Sequence, residues 1–207
     1  MNRPLFARIQ ARASAVEERK GGAERRRQLL AGLAGRVVEV GAGSGVSFAH
    51  YPSAVTELIA VEPEPRLREL ARRAAESAPV PVTVIDGMAE QLPLADASVD
   101  AAVLAGVLCS VPDPARVLDE LGRVLRPGGE LRFYEHVLAR NARLAKLQRA
   151  LDASIWPRLF GGCHPTRDTE PLIRSQFTVD ACERFSFRPT LLAVPVAPRI
   201  LGRGHRA

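Results

Sequence analysis

The sequence predicts an α/β fold in which a mostly parallel sheet carries helices on both faces. Two observations point there. Short apolar or β-branched runs recur at Val37–Val40, Leu58–Val61, Val82–Ile85, Val99–Leu104 and Leu131–Tyr134, with helix-like stretches between several of them at Ser44–His50, Glu64–Glu76 and Pro114–Leu125. Strands covered on both faces read as unbroken apolar runs, and parallel neighbours need a crossover between them. The first run also passes directly into a glycine-rich turn, Gly41-Ala42-Gly43-Ser44-Gly45. In open α/β sheets ligands bind at such turns, outside the carboxyl ends of the strands.

Helices are predicted ahead of this core. Residues 3–20 place Leu5, Phe6, Ile9, Ala13 and Val16 three or four apart among basic residues, the pattern of an amphipathic helix. Gly21-Gly22 breaks it, and residues 23–34 resume through Leu29, Leu30 and Leu33, with Gly35 expected as the C-cap. After His136, residues 139–152 read as helix, Pro157–Pro165 as loop and Arg167–Ser175 as a short helix. Arg184–Phe187 and Leu191–Val196 read as two strands of a hairpin closing one sheet edge, which brings the expected total to seven. With 207 residues, no internal repeat and no low-complexity linker, one domain is expected over 1–207.

Composition excludes several classes. Hydrophobic residues at 46% and charged residues at 25% are globular values, not those of a disordered chain. No apolar run approaches the roughly 20 residues that cross a bilayer. The start, Met1 to Arg8, is basic but lacks the apolar segment of a signal peptide, so a cytoplasmic protein is expected. The three cysteines, Cys109, Cys163 and Cys182, form no Cys-x-x-Cys pair. That argues against a disulfide framework and a cysteine-built zinc site, and no metal is expected. The net charge of +6 sits at the ends: residues 1–30 hold eight Lys/Arg against three acids, and residues 197–207 hold three arginines and no acid. The middle is slightly acidic, so no nucleic-acid partner is expected.

The glycine turn carries the chemistry. A dinucleotide fingerprint would require a third glycine at Val46. The sequence reads instead Glu39-Val40-Gly41-Ala42-Gly43-Ser44-Gly45, with an acid two residues before the first glycine. A carboxylate there would repel a pyrophosphate but not a cofactor bearing an α-ammonium and a sulfonium, which favours S-adenosylmethionine. Glu62 follows Gly41 by 21 positions and ends the second strand before Pro63, placed for the two hydroxyls of a ribose. Asp86 ends the third strand, ahead of Gly87-Met88-Ala89-Glu90.

These residues, with Gln91-Leu92-Pro93 and Val124-Leu125-Arg126-Pro127-Gly128-Gly129, resemble the class I S-adenosylmethionine-dependent methyltransferases over residues 35–137. The resemblance implies their Rossmann-like seven-stranded sheet with an antiparallel last strand. It also implies S-adenosylmethionine as cofactor and S-adenosylhomocysteine as product. Cofactor contacts are implied for Glu39, Gly41, Ala42, Gly43 and Gly45, with Glu62 and Pro63 at the ribose. Asp86, Gly87, Ala89 and Glu90 would lie at the adenine, and the loop containing Gly106 and Leu108 at the methionine part. Residues 1–34 would form a helical cap, 35–137 the cofactor-binding core, and 138–207 the acceptor-side helices and closing hairpin. Val107-Leu108-Cys109-Ser110-Val111, Glu135-His136-Val137, Gln148-Arg149, Trp156 and Gly161-Gly162-Cys163-His164 with Arg167-Asp168-Thr169 further resemble the group that includes alkyl thiol S-methyltransferases. A small-molecule acceptor, with a thiol first, is the expectation; a phospholipid or quinone-type acceptor and a non-catalytic cofactor-binding scaffold are the alternatives.

The acceptor side leaves several roles open. His136 ends the fifth strand, where it serves as a base or as a packing residue. Cys109 lines the transfer site or is a small core residue. Glu135 is expected on the solvent face of its strand. Cys163 and His164 make weak metal ligands without a partner pair and are assigned to an acceptor-pocket loop. Arg167 orients that loop, holds an anionic substrate, or forms a surface ion pair. Trp156 walls the pocket or simply packs. The N-terminal helix is expected to dock or act as a lid, ahead of peripheral membrane contact.

Overall fold

The structure is a computed structural model and describes residues 3–154 and 156–206. Met1 and Asn2 of the basic start, and Ala207 of the basic end, lie outside the described residues. Seven strands form one sheet: β1 (Gly35–Val40), β2 (Val55–Val61), β3 (Val82–Ile85), β4 (Val99–Ala105), β5 (Leu125–His136), β6 (Thr178–Ser186) and β7 (Pro198–His205). Their order is β3-β2-β1-β4-β5-β7-β6. The pairs from β3 through β5 are parallel, and β7 runs antiparallel to both of its neighbours. The strand order reverses between β1 and β4, so their carboxyl ends flank the crevice where such sheets bind ligands.

Among the described residues seven α-helices accompany the sheet: α1 (Pro4–Glu17), α2 (Ala23–Leu30), α3 (Pro65–Ala75), α4 (Pro114–Val124), α5 (Ala142–Asp152), α6 (Trp156–Leu159) and α7 (Thr169–Gln176). Successive strand residues point to opposite faces, so the apolar runs feed two cores. Val38, Ile59, Leu104 and Phe133 pack with Leu118 and Leu121 of α4 and Ile173 of α7. Val37, Leu58, Ala60 and Val103 pack on the other face with Leu29 and Leu30 of α2 and Ala71 of α3. Each fully buried Leu contributes roughly 1.5–3 kcal/mol. Local chemistry sets where these helices start. Asp113 caps α4 by accepting from the N–H groups of Ala115 and Arg116, and Asn141 caps α5 in the same way.

Four local expectations are corrected. The predicted helix at Ser44–His50 is a glycine-rich turn with only a short 3₁₀ segment at Phe48–His50, because Gly41, Gly43 and Gly45 all take positive φ. The helix of residues 23–34 stops at Leu30; Gly32 (φ +79°) turns the chain, and Gly35 (φ +74°) opens β1 rather than capping a helix. Leu191–Val196 is not a strand but a 3₁₀ turn containing Pro195, with Leu191 and Leu192 largely exposed. The final strand is instead Pro198–His205, where two glycines sit against the partner strand: a Cβ on Gly202 would overlap the Ala181 carbonyl oxygen and the Phe133 ring. Those glycines hide the strand from a pattern that looks for β-branched residues. Its partner strand also begins earlier than Arg184, at Thr178.

The amino-terminal helix is docked. Chain direction changes at Lys20 and Gly21 (φ +107°), the predicted break. Glu17 at the end of α1 reaches Arg199 of β7 at 2.5 Å, and Arg199 also donates to the Tyr134 hydroxyl. Arg199 is only 2% exposed. Burial raises the Glu17 pKa, but the Arg199 guanidinium outweighs it and the net shift is downward. Glu18 holds His50 and Arg26, and the Phe6 ring covers Gly161. Among the described residues no helix is long and apolar enough to cross a membrane. Breaking a buried pair leaves an uncompensated charge. We therefore expect Glu17→Ala to lose about 3 kcal/mol in urea unfolding, with new protease sensitivity at the Lys20–Gly21 turn. A change below about 0.5 kcal/mol would show that α1 is not anchored by this pair.

Candidate active site

The glycine turn leaves β1 at the carboxyl edge of the sheet and is pinned by two buried acids. The N–H groups of Gly41 and Ala42 donate to the Val61 carbonyl, which ties the turn to the end of β2. Glu62, the next residue, receives the Gly43 N–H on one oxygen at 2.8 Å and the Glu64 N–H on the other at 2.9 Å. Each carboxylate oxygen keeps a lone pair free. Burial pushes the Glu62 pKa up to about 7, against the pull of the two N–H groups. Glu39 accepts from the Ser47 hydroxyl at 2.5 Å and from the Tyr51 hydroxyl at 3.0 Å. Both of its oxygens are thus engaged in holding the loop behind the glycines, and burial again raises its pKa.

The glycines do different work. A Cβ on Gly41 would lie 2.8 Å from Val107, and one on Gly45 would lie 2.7 Å from Phe48 and 2.9 Å from Ala74. Gly87 is similarly tight against Val61 and Pro93. Those three are required by the fold. Gly43 (φ +60°) and Gly106 (φ +72°) face open space, where a Cβ would meet nothing within 4 Å. The open volume lies between the ends of β1 and β4, at the reversal of strand order.

The loop after β3 is held from outside. Arg68 of α3 donates to the Glu62 carbonyl and to the exposed Asp86 carboxylate at 2.9 Å. Glu120 of α4 accepts the Leu92 N–H, and Arg123 donates to the carbonyls of Leu92 and Leu94. Ala89 is buried in the core, Pro63 is half-buried, and Glu90 has a buried oxygen, Oε1, with no hydrogen-bond partner.

The region around the end of β5 gathers residues far apart in sequence. Glu135 is not on a solvent face, as expected from the sequence, but fully buried, with Oε1 accepting the Val107 N–H at 2.9 Å. Its other oxygen has no partner. Burial and the neighbouring Cys109 thiol push its pKa up to about 8, against the N–H groups of Val107, Leu108 and Cys109. Arg167 donates to the Leu108 carbonyl at 2.8 Å and the Val111 carbonyl at 2.5 Å. Arg167 therefore bridges two carbonyls of the loop that follows β4, and not the 161–164 loop the sequence reading paired it with. Leu108 itself is fully buried, so only its backbone can face a ligand.

His136 Nδ1 lies 3.7 Å from the Cys109 sulfur and 4.0 Å from the Cys163 sulfur. The neighbouring Cys163 thiol and burial raise the Cys109 pKa well above the ordinary thiol value. The neighbouring Cys109 thiol lowers the pKa of Cys163. Trp156 stacks on Phe160 at 4.1 Å. His164 does not join the cluster: its Nδ1 pairs with Asp152 at 2.8 Å, partly exposed. A groove of about 560 Å³ opens beside Cys163, lined by Leu5 and Phe6 of α1 and by Pro157, Leu159 and Gly162.

Sequence reasoning missed Ser47, Tyr51, Arg68, Glu120 and Arg123 as supports of the site. Only Ser47 and Tyr51 carried a local signal, lying just beyond the turn. Arg123 reaches back about 30 residues through the fold, where no spacing rule applies.

The family model described as a methyltransferase domain matches residues 38–133. Thiol S-methyltransferase TMT1B of Mus musculus is 38% identical over 180 residues, covering 84% of this chain and 72% of that protein. The ubiquinone/menaquinone biosynthesis C-methyltransferase UbiE of Syntrophotalea carbinolica is 32% identical over 77% of this chain and 71% of that protein. Among solved structures, a SAM-dependent methyltransferase of Thermotoga maritima, described as a possible histamine N-methyltransferase, has a TM-score of 0.69 at 26% identity, covering 98% of each chain. The antiparallel β7 between β5 and β6, the acids at the ends of β1 to β3 and these likenesses agree: the chain belongs to the class I S-adenosylmethionine-dependent methyltransferases, in the family of its thiol S-methyltransferase relatives, with S-adenosylmethionine as methyl donor and S-adenosylhomocysteine as product.

Proposed function

We propose that this enzyme transfers the methyl group to the sulfur of a small-molecule thiol. The observation that carries this reading is the extent of the likeness to the thiol S-methyltransferases. Its 180 residues run well beyond the methyltransferase-domain match at 38–133, so they include acceptor-side elements as well as the cofactor core.

Bound S-adenosylmethionine supplies a methyl carbon already activated by its sulfonium, so alignment is the protein's main task. Glu62, fixed by the N–H groups of Gly43 and Glu64, would hold the ribose hydroxyls. Asp86, Gly87, Ala89 and Glu90 would border the adenine and Pro63 the ribose, and the partnerless Glu90 oxygen would be free to accept a hydrogen bond there. Gly41, Ala42, Gly43, Gly45 and Gly106 provide the backbone surface for the methionine part, while Glu39 keeps the glycine turn in place. Glu135 and Arg167 set the loop from Gly106 to Ser110, and so align the acceptor with the methyl carbon. A thiol needs only to lose its proton to become a strong nucleophile. His136 and Cys109 are the polar groups nearest that step, with Cys163 and Trp156 beside them. His164, paired to Asp152, contributes to the outer wall.

The acceptor test is turnover of radiolabelled S-adenosylmethionine on a panel of small thiols and of quinone-type rings. Methylated thiol products are expected; ring methylation without thiol turnover would favour the second reading, supported by the likeness to UbiE.

Two further outcomes probe the cofactor site. Gly43→Ala meets no protein atom, so its stability cost is limited to the roughly 1–2 kcal/mol of a left-handed alanine. Its affinity for S-adenosylhomocysteine should nevertheless fall by at least about tenfold, because the methyl enters space kept for ligand. Unaltered affinity in titration calorimetry would move the cofactor away from this turn. The ribose hydroxyls donate to an ionised Glu62, whereas the free protein keeps that carboxyl protonated below pH about 7. Binding should therefore release a proton at lower pH, and affinity should rise with pH until it levels above about 7. Equal heats in buffers of different ionisation enthalpy would rule out this linkage.

A further inference from the structure

We propose that Cys109, His136 and Cys163 form a three-ligand site for a soft divalent cation such as zinc, leaving a fourth coordination position open for the sulfur of the acceptor. The second half of this statement rests on the thiol reading above; the first half does not.

The sequence argued against such a site because no two cysteines are paired by spacing. The fold supplies what spacing does not. Cys109 comes from the loop after β4, His136 from the end of β5, and Cys163 from the loop after α6. Their two sulfurs and a ring nitrogen all lie within 4.8 Å of one another. The His136 nitrogen is 3.7 Å from one sulfur and 4.0 Å from the other. Tetrahedral zinc with bonds of about 2.3 Å to sulfur and 2.0–2.1 Å to nitrogen sets neighbouring ligand atoms roughly 3.5–3.8 Å apart. Small side-chain adjustments therefore suffice. A disulfide between the two cysteines would use neither the histidine nor its placement between the sulfurs.

Charge and surroundings agree with a cation. Two thiolates and a neutral imidazole balance a divalent charge, and Cys₂His is a soft donor set. Cys109 and Cys163 are 1% and 7% exposed, while His136 is half-buried. Beside them, fully buried Glu135 keeps one oxygen without a hydrogen-bond partner. Three protein ligands with an open position are the mark of a reactive zinc site; structural sites close with four. Among the described residues no other group of three such ligand atoms meets this closely.

The open position suits a thiol. On coordination the acceptor R–SH loses its proton to solvent and binds as a thiolate. Its sulfur then forms a bond to the methyl carbon as the carbon–sulfonium bond breaks, giving a neutral thioether and S-adenosylhomocysteine. The thioether, a weaker ligand than the thiolate, leaves the metal. In this arrangement coordination performs the deprotonation, and His136 acts as a ligand and not as a base.

The test is cobalt(II) titration of the 207-residue chain kept reduced by a non-thiol reductant. One cobalt per chain should bind, with the strong thiolate-to-cobalt charge-transfer absorption, and zinc should displace it. Cys109→Ser and Cys163→Ser, each shown to be folded by circular dichroism, should lose at least about tenfold in affinity and much of that absorption. Cys182→Ser, outside the cluster, should match the parent. No charge-transfer absorption in the parent protein, or one that survives in both serine variants, would overturn the site. Adding a small alkyl thiol should shift the cobalt spectrum; an unshifted spectrum overturns the open position. S-adenosylhomocysteine binding, measured on the same samples, separates failure of this proposal from failure of the methyltransfer reading.

Discussion

One oxygen of Glu62 takes the Gly43 N–H and the other takes the Glu64 N–H, so a single buried carboxylate joins the turn after β1 to the end of β2. The turn needs that support. Its glycines take positive φ and leave the regular ladder, so their N–H groups must find partners elsewhere. The Val61 carbonyl takes two of the turn's N–H groups and Glu62 takes a third. Were this carboxylate absent, the turn would lose its fixed distance from the second strand, and the open space in front of Gly43 and Gly106 would lose its shape.

The same device recurs on the acceptor side with different parts. Glu135 faces the backbone N–H groups of the loop after β4, and Arg167 draws in the carbonyls of the same loop. Opposed pulls of that kind fix a loop without burying it in apolar contacts. Glu39, Glu62 and Glu135 are all buried, and burial raises the pKa of each. Placing three acids in the interior opposes folding, and the two large apolar cores offset it. The site thus gains preorganised polar groups at the expense of local stability, as functional sites commonly do.

The amino-terminal helix links these parts to the rest of the chain. Glu17 meets Arg199 of the final strand, so the first and last elements are tied at the sheet end that carries the site. Phe6 at the other end of α1 lies on Gly161, within two residues of Cys163. The helix therefore lines the groove with Leu5 and Phe6 while remaining anchored to the sheet.

Patterns local to the chain were enough to determine the parallel core. Val37–Val40, Leu58–Val61 and the other apolar runs read as strands because a strand buried on both faces needs apolar side chains at every position. Glu39, Glu62, Asp86 and the three glycines marked the carboxyl ends of the first strands because backbone turns and strand ends have fixed sequence positions. The last strand stayed hidden, since Gly202 and Gly204 are demanded by close approach to β6 and to Phe133, and a strand pattern penalises glycine. The burial of Glu135, the grip of Arg167 on Leu108 and Val111, and the meeting of Cys109 with His136 and Cys163 were decided only by tertiary structure. These groups lie 27 or more residues apart and on different elements. Side-chain proximity at that separation follows from sheet order and loop course, which no local periodicity encodes.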